Sequence, residues 1–339
     1  MTKSITISLI AISLCTSFSL QAQDKPAPAK RFYLKAAGGY FFSVSPGQFP
    51  KVGAYDPRET YQTYNTSTGA TSVTSDKVLT GSYGAGVRGG LTAGFDINNY
   101  VAVELSANYY HSKTNLMTHQ VTTAEGSSTV LGSVESHGHV NAIDVAPSIV
   151  LNPASKGKLN PYVRIGVVVP VWGRLYIETA GYKASSVTGA PTLLSQVSVQ
   201  RKEAVKPNMT VGFQGALGVT YKLGNNLSLF LETEYRNVPV QSKSKEVKEY
   251  AETLKVINVT NGATVSGPTS RGLNDLSTAE RYTDYQTTVN TSSNTPTGVT
   301  DPAHPTQTQY KDNNKPANDL KSYINIGGLG LNLGIKFRI

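Results

Sequence analysis

The stretch GGLGLNLGIKFRI, at residues 327–339, places an apolar residue at every second position. The apolar residues are Leu329, Leu331, Leu333, Ile335, Phe337 and Ile339. The residues between them are small or polar: Gly330, Asn332, Gly334, Lys336 and Arg338. A period of two residues is typical of a β-strand with one apolar face and one polar face. The stretch therefore predicts an amphipathic strand, and its role depends on what other strands accompany it.

The same alternation recurs throughout the chain. Eight segments show it, at residues 31–44, 82–97, 100–112, 139–151, 161–176, 208–222, 227–236 and 322–339. In the fifth segment the alternation predicts that Trp172 and Arg174 share the polar face with Arg164. In the last segment the phase changes near Gly327 and Gly328, which a β-bulge would explain.

The connections between these segments alternate in length. Three are short, at 97–99, 152–160 and 224–226, and four are long, at about 46–81, 114–136, 177–204 and 242–321. This layout is typical of outer-membrane barrels, whose first and last strands must pair because an open sheet edge cannot lie in hydrocarbon. We therefore predict an all-β chain that forms an eight-stranded antiparallel up-and-down transmembrane β-barrel over residues 31–339, with long extracellular loops. A soluble β-sandwich or lipocalin-type barrel is the alternative, but it would expose a polar face richer in lysine and glutamate.

The amino terminus predicts export. Residues 1–22 contain Lys3, an apolar run and then Ala22, which is the layout of a secretory signal peptide. A retained membrane anchor is the alternative, and the apolar run is short for one. Residues 23–30 form a proline- and alanine-rich spacer. The one cysteine, Cys15, lies in the signal segment, so the mature chain is expected to have no disulfide or thiolate metal site.

Two stretches resemble the strand–turn–strand unit of the OmpA-like and OmpX-like outer-membrane barrels. They are FDINNYVAVELSANY at 95–109 and YKLGNNLSLFLETEY at 221–235. The resemblance in architecture extends over residues 31–339 and implies a porin-type barrel domain in the outer membrane of a diderm bacterium. The chain departs from the family in two ways: Phe337 stands two residues before Ile339, where a terminal aromatic is usual, and the connection at 242–321 is unusually long.

Charged residues on the polar faces are candidates for a site in the lumen. They are Lys35, Arg88, Glu104, Asp144, Arg164, Glu232, Glu234 and Lys336. Unpaired charges in a narrow lumen would be costly, so these side chains are expected to form ion pairs. OmpA-like barrels are known for such a network, which implies a charged plug or gate. The alternative is that the pairs serve packing alone. Four cations against four anions argue against a dedicated cation or anion channel.

The chain carries a formal charge of +9, which raises the question of nucleic-acid binding. The four long connections contribute a total of only about −1 by these boundaries (0, −2, +1 and 0). The positive excess therefore lies in the strands, short turns and spacer. No basic stripe with interleaved aromatic residues is present in the sequence, so we expect no nucleic-acid partner.

Histidines suggest two further kinds of chemistry. His137 and His139 would point to the same side of a strand, which makes them weak candidates for a metal site. A lipid A-modifying enzyme would need a histidine, a serine and an acid within hydrogen-bond reach. His111, Ser112 and Glu104 lie on one strand, but His111 and Glu104 fall on its opposite faces. We expect no catalytic residues, no metal and no cofactor.

Residues 242–321 contain three local patterns. Apolar residues at helical spacing within KSKEVKEYAETLKVI, at 243–257, predict a short surface helix. STAE at 277–280 predicts a helix cap. The polar segment 290–309 is predicted to be extended or disordered.

Together these patterns predict a non-enzymatic outer-membrane barrel that contributes to envelope structure and displays surface loops for adhesion or recognition. A narrow or gated pore for small solutes is the alternative, and a lipid A-modifying enzyme is third. The expected partners are outer-membrane lipid, lipopolysaccharide and an extracellular ligand of the loops, and we expect a monomer.

Overall fold

The computed structural model describes residues 31–44, 46–153, 157–187, 189–301 and 304–339. The predicted signal peptide and spacer lie outside these residues. In chain order the strands are β1 (Phe32–Phe42), β2 (Gly47–Gln48), β3 (Arg58–Tyr64), β4 (Thr71–Val78), β5 (Thr80–Gly81), β6 (Gly86–Asp96), β7 (Val101–Ser112), β8 (Asn115–Ala124), β9 (Val130–Leu151), β10 (Leu159–Val187), β11 (Ala190–Pro207), β12 (Gly212–Lys222), β13 (Leu227–Asn237), β14 (Pro239–Asn258), β15 (Thr264–Gly272), β16 (Tyr282–Gln286), β17 (Pro296–Asp301), β18 (His304–Tyr310), β19 (Ala317–Leu320), β20 (Tyr323–Asn325) and β21 (Leu329–Arg338). A 3₁₀ turn at Leu273–Asp275 precedes the short helix α1 (Thr278–Arg281).

Within the described residues, eight antiparallel strands close into a barrel. Their order is β1, β6, β7, β9, β10, β12, β13 and β21, and each neighbour follows the last along the chain. The ring closes where β1 pairs with β21, from Tyr33 opposite Arg338 to Phe42 opposite Leu329. The predicted eight-stranded up-and-down barrel is thus confirmed, and the opening stretch forms its closing strand.

The phase change before this closing strand has a different origin from the one predicted. Residues 326–328 are not in a strand, and they separate β20 from β21. The phase change is therefore a break between two strands, β20 and β21, and not a β-bulge within one strand. Gly327 packs so closely against the backbone of Arg236 that an added Cβ would overlap it, which explains the need for glycine there.

The prediction for Trp172 and Arg174 was wrong. The pairing of β10 with β9 shifts by one residue between Pro170 and Trp172, which is the signature of a β-bulge. A one-residue shift moves all later side chains to the other face. Trp172 is consequently exposed on the outside of the barrel, with the Arg174 guanidinium 5.7 Å from the centre of its ring.

Glycines on the inward face make room for aromatic rings on the neighbouring strand. Four such pairs lie directly opposite each other: Tyr33 with Gly94, Tyr162 with Gly218, Phe41 with Gly330, and Phe230 with Gly334. In each pair an added Cβ would overlap the aromatic ring. Each ring therefore covers the glycine opposite it and fills the lumen, an arrangement that stabilises strands containing glycine.

The long connections all lie at one end of the barrel and are themselves rich in strands. β9 has 22 residues and β10 has 29, so both continue well beyond their barrel partners. Beyond the barrel, β9 pairs with β8, and β10 pairs with β11, which in turn pairs with β14. We call this sheet, formed by β3, β4, β8, β11, β14, β15 and the far halves of β9 and β10, the extension.

The predicted helix within 243–257 was wrong, because these residues belong to β14. Pairing with β11, from Leu193 opposite Asn258 to Pro207 opposite Ser242, overrides the local helical pattern. The predicted cap at 277–280 is confirmed: the Ser277 hydroxyl accepts a hydrogen bond from the Glu280 backbone N–H, and the Glu280 carboxylate accepts one from Ser277. The segment 290–309 contributes to the hairpin of β17 and β18.

The outside of the barrel is apolar along every strand of the ring. Representative residues are Phe32, Leu91, Leu105, Ile149, Ile165, Leu217, Leu231 and Leu333, all of them exposed. At the short-turn end Phe32 and Phe95 pack with their ring centres 4.8 Å apart. Separately, no helix in the described residues is long and apolar enough to cross a membrane.

Candidate functional site

The lumen contains a chain of ion pairs that begins near the short turns. The Lys35 ammonium lies 3.1 Å from Glu104, and the Tyr33 hydroxyl donates to the same carboxylate at 2.8 Å. Glu104 stands on β7 while Lys35 and Tyr33 stand on β1, so these contacts reach across β6. All three side chains are buried. Glu104 therefore has partners for its charge in a part of the lumen that is closed to bulk water.

Arg164 occupies the centre of this chain. Its Nε donates to Glu232 at 3.2 Å, and its Nη2 lies 3.3 Å from Glu234 and contacts Glu232 as well. The same guanidinium is 3.9 Å from Glu104, which joins the first pair to the rest. The Tyr162 hydroxyl donates to Glu232 at 3.0 Å. One arginine thus contacts three carboxylates, as its planar fork of donors allows.

Arg236 is a member of this network that the sequence analysis did not include. Its Nη1 lies 3.0 Å from Asp144, and its Nε donates to Glu234. On the other side of Asp144, Arg88 donates at 3.2 Å and Asn108 donates at 2.8 Å. The alternation of β13 would have revealed Arg236, because it shares the inward phase with Glu232 and Glu234.

Lys336 was predicted to join the network, but the structure places it apart. It faces the lumen near the short turns, with its ammonium 3.5 Å from the centre of the Tyr33 ring. Among the described residues it has no acidic partner within ion-pair distance. The other seven predicted residues are all in the network. With Arg236 added, the network has four cations (Lys35, Arg88, Arg164, Arg236) and four anions (Glu104, Asp144, Glu232, Glu234).

Aromatic and apolar side chains close the lumen around the network. Phe41 and Tyr110 stack on Arg88, with its guanidinium 4.6 Å and 4.8 Å from their ring centres. Towards the long connections, a buried apolar layer that includes Val140, Ala142 and Ile326 lies above Asp144. The cavity left among the charged groups measures only about 30 Å³, which is space for two or three water molecules. The part of the lumen around the charged groups is therefore almost filled.

His111, His137 and His139 lie outside the lumen. His111 and His139 face outward with their ring centres 5.5 Å apart, and His139 stacks on Tyr176. His137 instead approaches Glu135, at 3.5 Å. In the described part of the chain, no group of three or more His, Cys, Asp or Glu side chains is arranged to hold a metal ion.

The residues considered for lipid A chemistry do not come together. The Ser112 hydroxyl is buried and accepts a hydrogen bond from the Val140 backbone N–H at 2.8 Å. His111 contacts Asn141 on the outer surface, whereas Glu104 lies in the lumen network. A histidine that acts as a general base would have to reach both groups.

A second buried charge cluster lies in the extension. Glu203 on β11 is 2.8 Å from Lys245 on β14 and also contacts Arg201. Burial by itself raises the pKa of Glu203, but the charges of Lys245 and Arg201 outweigh it and hold that pKa below the ordinary value of a glutamate. Sequence analysis assigned these residues to loops, so nothing in it predicted their burial.

A third cluster fixes the segment after β15 onto the sheet. Arg271 lies 3.1 Å from Glu280 of α1 and 3.6 Å from Glu252 of β14. The Glu280 carboxylate also accepts a hydrogen bond from the Thr308 backbone N–H at 3.1 Å. Nearby, the buried Asn294 donates to the backbone carbonyl groups of Asp312, Lys315 and Pro316. The long fourth connection is therefore folded against β14.

These features define a closed antiparallel β-barrel with an apolar exterior, an ion-paired interior and a folded extension at one end. No protein-family model matches the chain, and a search of curated protein sequences likewise found no match.

Proposed function

We propose that this chain is an outer-membrane protein of a diderm bacterium, in which the barrel crosses the lipid bilayer. The apolar exterior supports this proposal: Leu91, Leu217 and Leu333 are 68%, 67% and 63% exposed, and they lie on different sides of the ring. An apolar surface that surrounds a whole barrel suits hydrocarbon and is unfavourable in water. Outer-membrane lipid and lipopolysaccharide would then be the partners of this surface.

In this orientation the short turns face the periplasm and the extension faces the outside of the cell. A transmembrane strand needs about 9–11 residues, whereas β9 has 22 and β10 has 29. More than half of β10 is therefore available outside the bilayer. The observation that carries the membrane proposal is the apolar exterior of the ring, and the continuation of β9 and β10 joins the extension directly to the barrel.

We infer that the protein is a non-enzymatic scaffold that holds the extension at the cell surface for adhesion or recognition. A rigid sheet on a fixed barrel presents the same surface at all times, which reduces the entropy lost when a partner binds. The filled lumen argues against the alternative of a pore, because Arg164 and Arg236 fill its centre with buried ion pairs. No observation favours a lipid A-modifying enzyme.

Two measurements on the purified protein test the membrane scaffold. In detergent, we expect the folded barrel to migrate differently on a gel before and after boiling, since a closed barrel resists unfolding at room temperature. In planar bilayers we expect no conductance steps above the lipid background. Unchanged mobility on boiling contradicts the barrel in detergent, and stable conductance steps would favour the pore.

The adhesive role needs a separate test. Cells that carry the full chain are compared with cells that lack it for retention on surfaces coated with collagen, fibronectin or mucin. The proposal predicts higher retention on at least one of these surfaces. Equal retention on all three contradicts adhesion to these classes of partner and leaves the membrane scaffold to be judged by the gel and the bilayer.

A further inference from the structure

The wall of the barrel has a gap beside β10. β10 pairs with β12 up to Val168, opposite Gly212, and it pairs with β11 from Leu175, opposite Val205. Between these points, residues 169–174 have no strand partner on this side among the described residues, although all of them except the bulged Val171 pair with β9 on the other side. We call this gap, framed by residues 169–174 and 206–211, the window.

The sequence explains why the strands separate here. Pro170 lies on one edge of the window and Pro207 on the other, and proline has no backbone N–H to contribute to a ladder. The bulge of β10 falls between Pro170 and Trp172, at the same level. On the opposite edge the chain bends towards β14, where the Asn208 backbone N–H donates to Gln241 at 2.8 Å. The prolines, the bulge and the bend towards β14 thus prevent the two edges from pairing with each other.

A cavity of about 40 Å³ lies behind the window. Its lining is mainly apolar and includes Val140, Ala142, Leu175, Val205, Val240 and Ile326, all of them buried. Edge residues Pro170 and Pro207 line it as well, so the cavity opens through the window. Its volume suits a few methylene groups of a chain that enters from the side.

The rim of the window combines apolar and positively charged groups. Trp172 and Val171 are exposed on one edge, and Met209 is 93% exposed on the other. Arg174 and Lys206 line the mouth of the cavity. Within the described residues neither cation has an acidic partner at ion-pair distance. Exposed apolar groups suit lipid, and cations without an ion-pair partner beside them suit an anionic headgroup.

We propose that the window binds an anionic membrane lipid: the first carbons of one acyl chain enter the cavity, and the phosphate of the headgroup pairs with Arg174 and Lys206. This proposal rests on the membrane orientation proposed above. The window lies where the barrel wall meets the extension, and it is separate from the lumen network. A lipid bound at the window would be selected by its headgroup charge, unlike the lipids that merely surround the barrel.

Trp172 provides the readout, because it is the only tryptophan in the sequence and lies on the rim. The full protein is reconstituted in phosphatidylcholine vesicles that contain a rising fraction of phosphatidylglycerol brominated near the carboxyl end of its chains, because the proposed site holds the first carbons. Bromine quenches tryptophan fluorescence on contact. We expect saturable quenching that exceeds the quenching by equally brominated phosphatidylcholine. A non-brominated series corrects for direct effects of each lipid on the fluorescence.

Three variants test the two parts of the site. Ala142→Leu fills the cavity and should abolish the excess quenching, whereas the outward-facing Ala107→Leu should retain it. Arg174→Gln and Lys206→Gln should each raise the half-saturating fraction of anionic lipid about fivefold, as expected for loss of one cation near an anionic surface. Lys255→Gln is the matched control and should leave it unchanged, because Lys255 is an exposed cation of β14 that lies far from the window, opposite Gln196.

The outcomes separate this proposal from the proposed function. Equal quenching by both brominated lipids in the unmodified protein, or excess quenching that survives Arg174→Gln together with Lys206→Gln, overturns the lipid site and leaves the membrane barrel intact. No quenching by either lipid also overturns the lipid site, because Trp172 then does not contact acyl chains, and the membrane orientation is decided separately by Leu333→Arg. The rim variants keep the test decisive if Ala142→Leu fails to fold, since both side chains lie at the surface of the mouth.

Discussion

Arg236 and Asp144, 92 residues apart in the chain, meet across the lumen: the Arg236 Nη1 atom lies 3.0 Å from both carboxylate oxygens of Asp144. Arg236 belongs to β13 and Asp144 to β9, and two strands separate them in the ring on one side. The contact therefore crosses the lumen between strands that are not neighbours in the ring. Both side chains are buried, so the pair forms under conditions where an unpaired charge is costly.

Replacement of Arg236 by methionine should strongly destabilise the barrel. The change leaves Asp144 and Glu234 short of a buried partner, and removal of one member of a buried pair costs about 3–5 kcal/mol. Lys336→Met is the matched control, because Lys336 loses only a contact with Tyr33, worth about 0.5–2 kcal/mol. Urea unfolding in lipid vesicles measures both. Equal losses for the two variants would contradict the network described for the lumen.

Two glycines of β12 provide a test of the aromatic–glycine pairs. A Cβ at Gly218 would overlap the Tyr162 ring, so Gly218→Ala should displace that ring from Glu232 and cost about 1–3 kcal/mol. Gly215 faces outward with no atom within 4 Å of an added Cβ. Gly215→Ala should therefore be neutral or stabilise the strand by about 0.5–1 kcal/mol. The same unfolding assay compares them, and an inverted order would reject the packing argument.

Two apolar residues of similar exposure test which surface lies in lipid. Leu333 in β21 is 63% exposed and Val73 in β4 is 60% exposed. In the proposed orientation Leu333 faces hydrocarbon and Val73 faces water. Leu333→Arg should then cost about 2–4 kcal/mol, whereas Val73→Arg should change stability by less than about 0.5 kcal/mol. Similar small effects in vesicles would show that the barrel exterior does not contact lipid.

The extension should lose stability in acid through Glu203. The folded state holds the pKa of Glu203 below its ordinary value, so its stabilising effect is fully present above the ordinary glutamate value of about 4.3. That contribution is lost as the pH falls through the lower pKa of the folded state, where the carboxylate takes up a proton. Hydrogen exchange of β11 and β14 amides, corrected for intrinsic pH effects, measures this loss.

Glu203→Gln is expected to remove this part of the pH dependence and to reduce protection of β11 and β14 at neutral pH. Glu249→Gln is the control, because Glu249 pairs with Lys202 on the exposed face of the same strands, at 3.1 Å. Its effect should be small at all pH values, as for other surface ion pairs. An unchanged acid response in Glu203→Gln would assign the effect to other carboxylates.

Sequence alternation predicted which side chains face the lumen wherever a strand is regular. β13 is an example: Glu232 and Glu234 lie inward, as their phase indicates. The phase does not give the height of a side chain or its angle around the ring. It therefore could not predict that Arg164 contacts both acids, or that Lys336 lies too near the short turns to reach them.

Two errors have a common cause in long-range pairing. Residues 167–169 and 171 are all valine, so both faces of the strand are apolar near Pro170. The alternation therefore does not reveal the bulge that turns Trp172 outward. Residues 243–257 carry good helix formers, yet pairing with β11 makes them a strand. Tertiary contacts decide both cases, and local propensity is a weak guide against them. The extension and its buried Glu203 escaped prediction for the same reason.

The continuity of β10 has a mechanical consequence. At roughly 3.3 Å per residue, its 29 residues span roughly 95 Å from the short-turn end to Val187. In the proposed orientation, a force on the tip directed away from the membrane acts along this strand and its neighbour β9. The backbone hydrogen bonds between β9 and β10 are then loaded together in shear, and they do not break one after another. In the proposed adhesive role, a cell attached through this tip under flow would be held by a stiff strand pair that continues directly into the barrel.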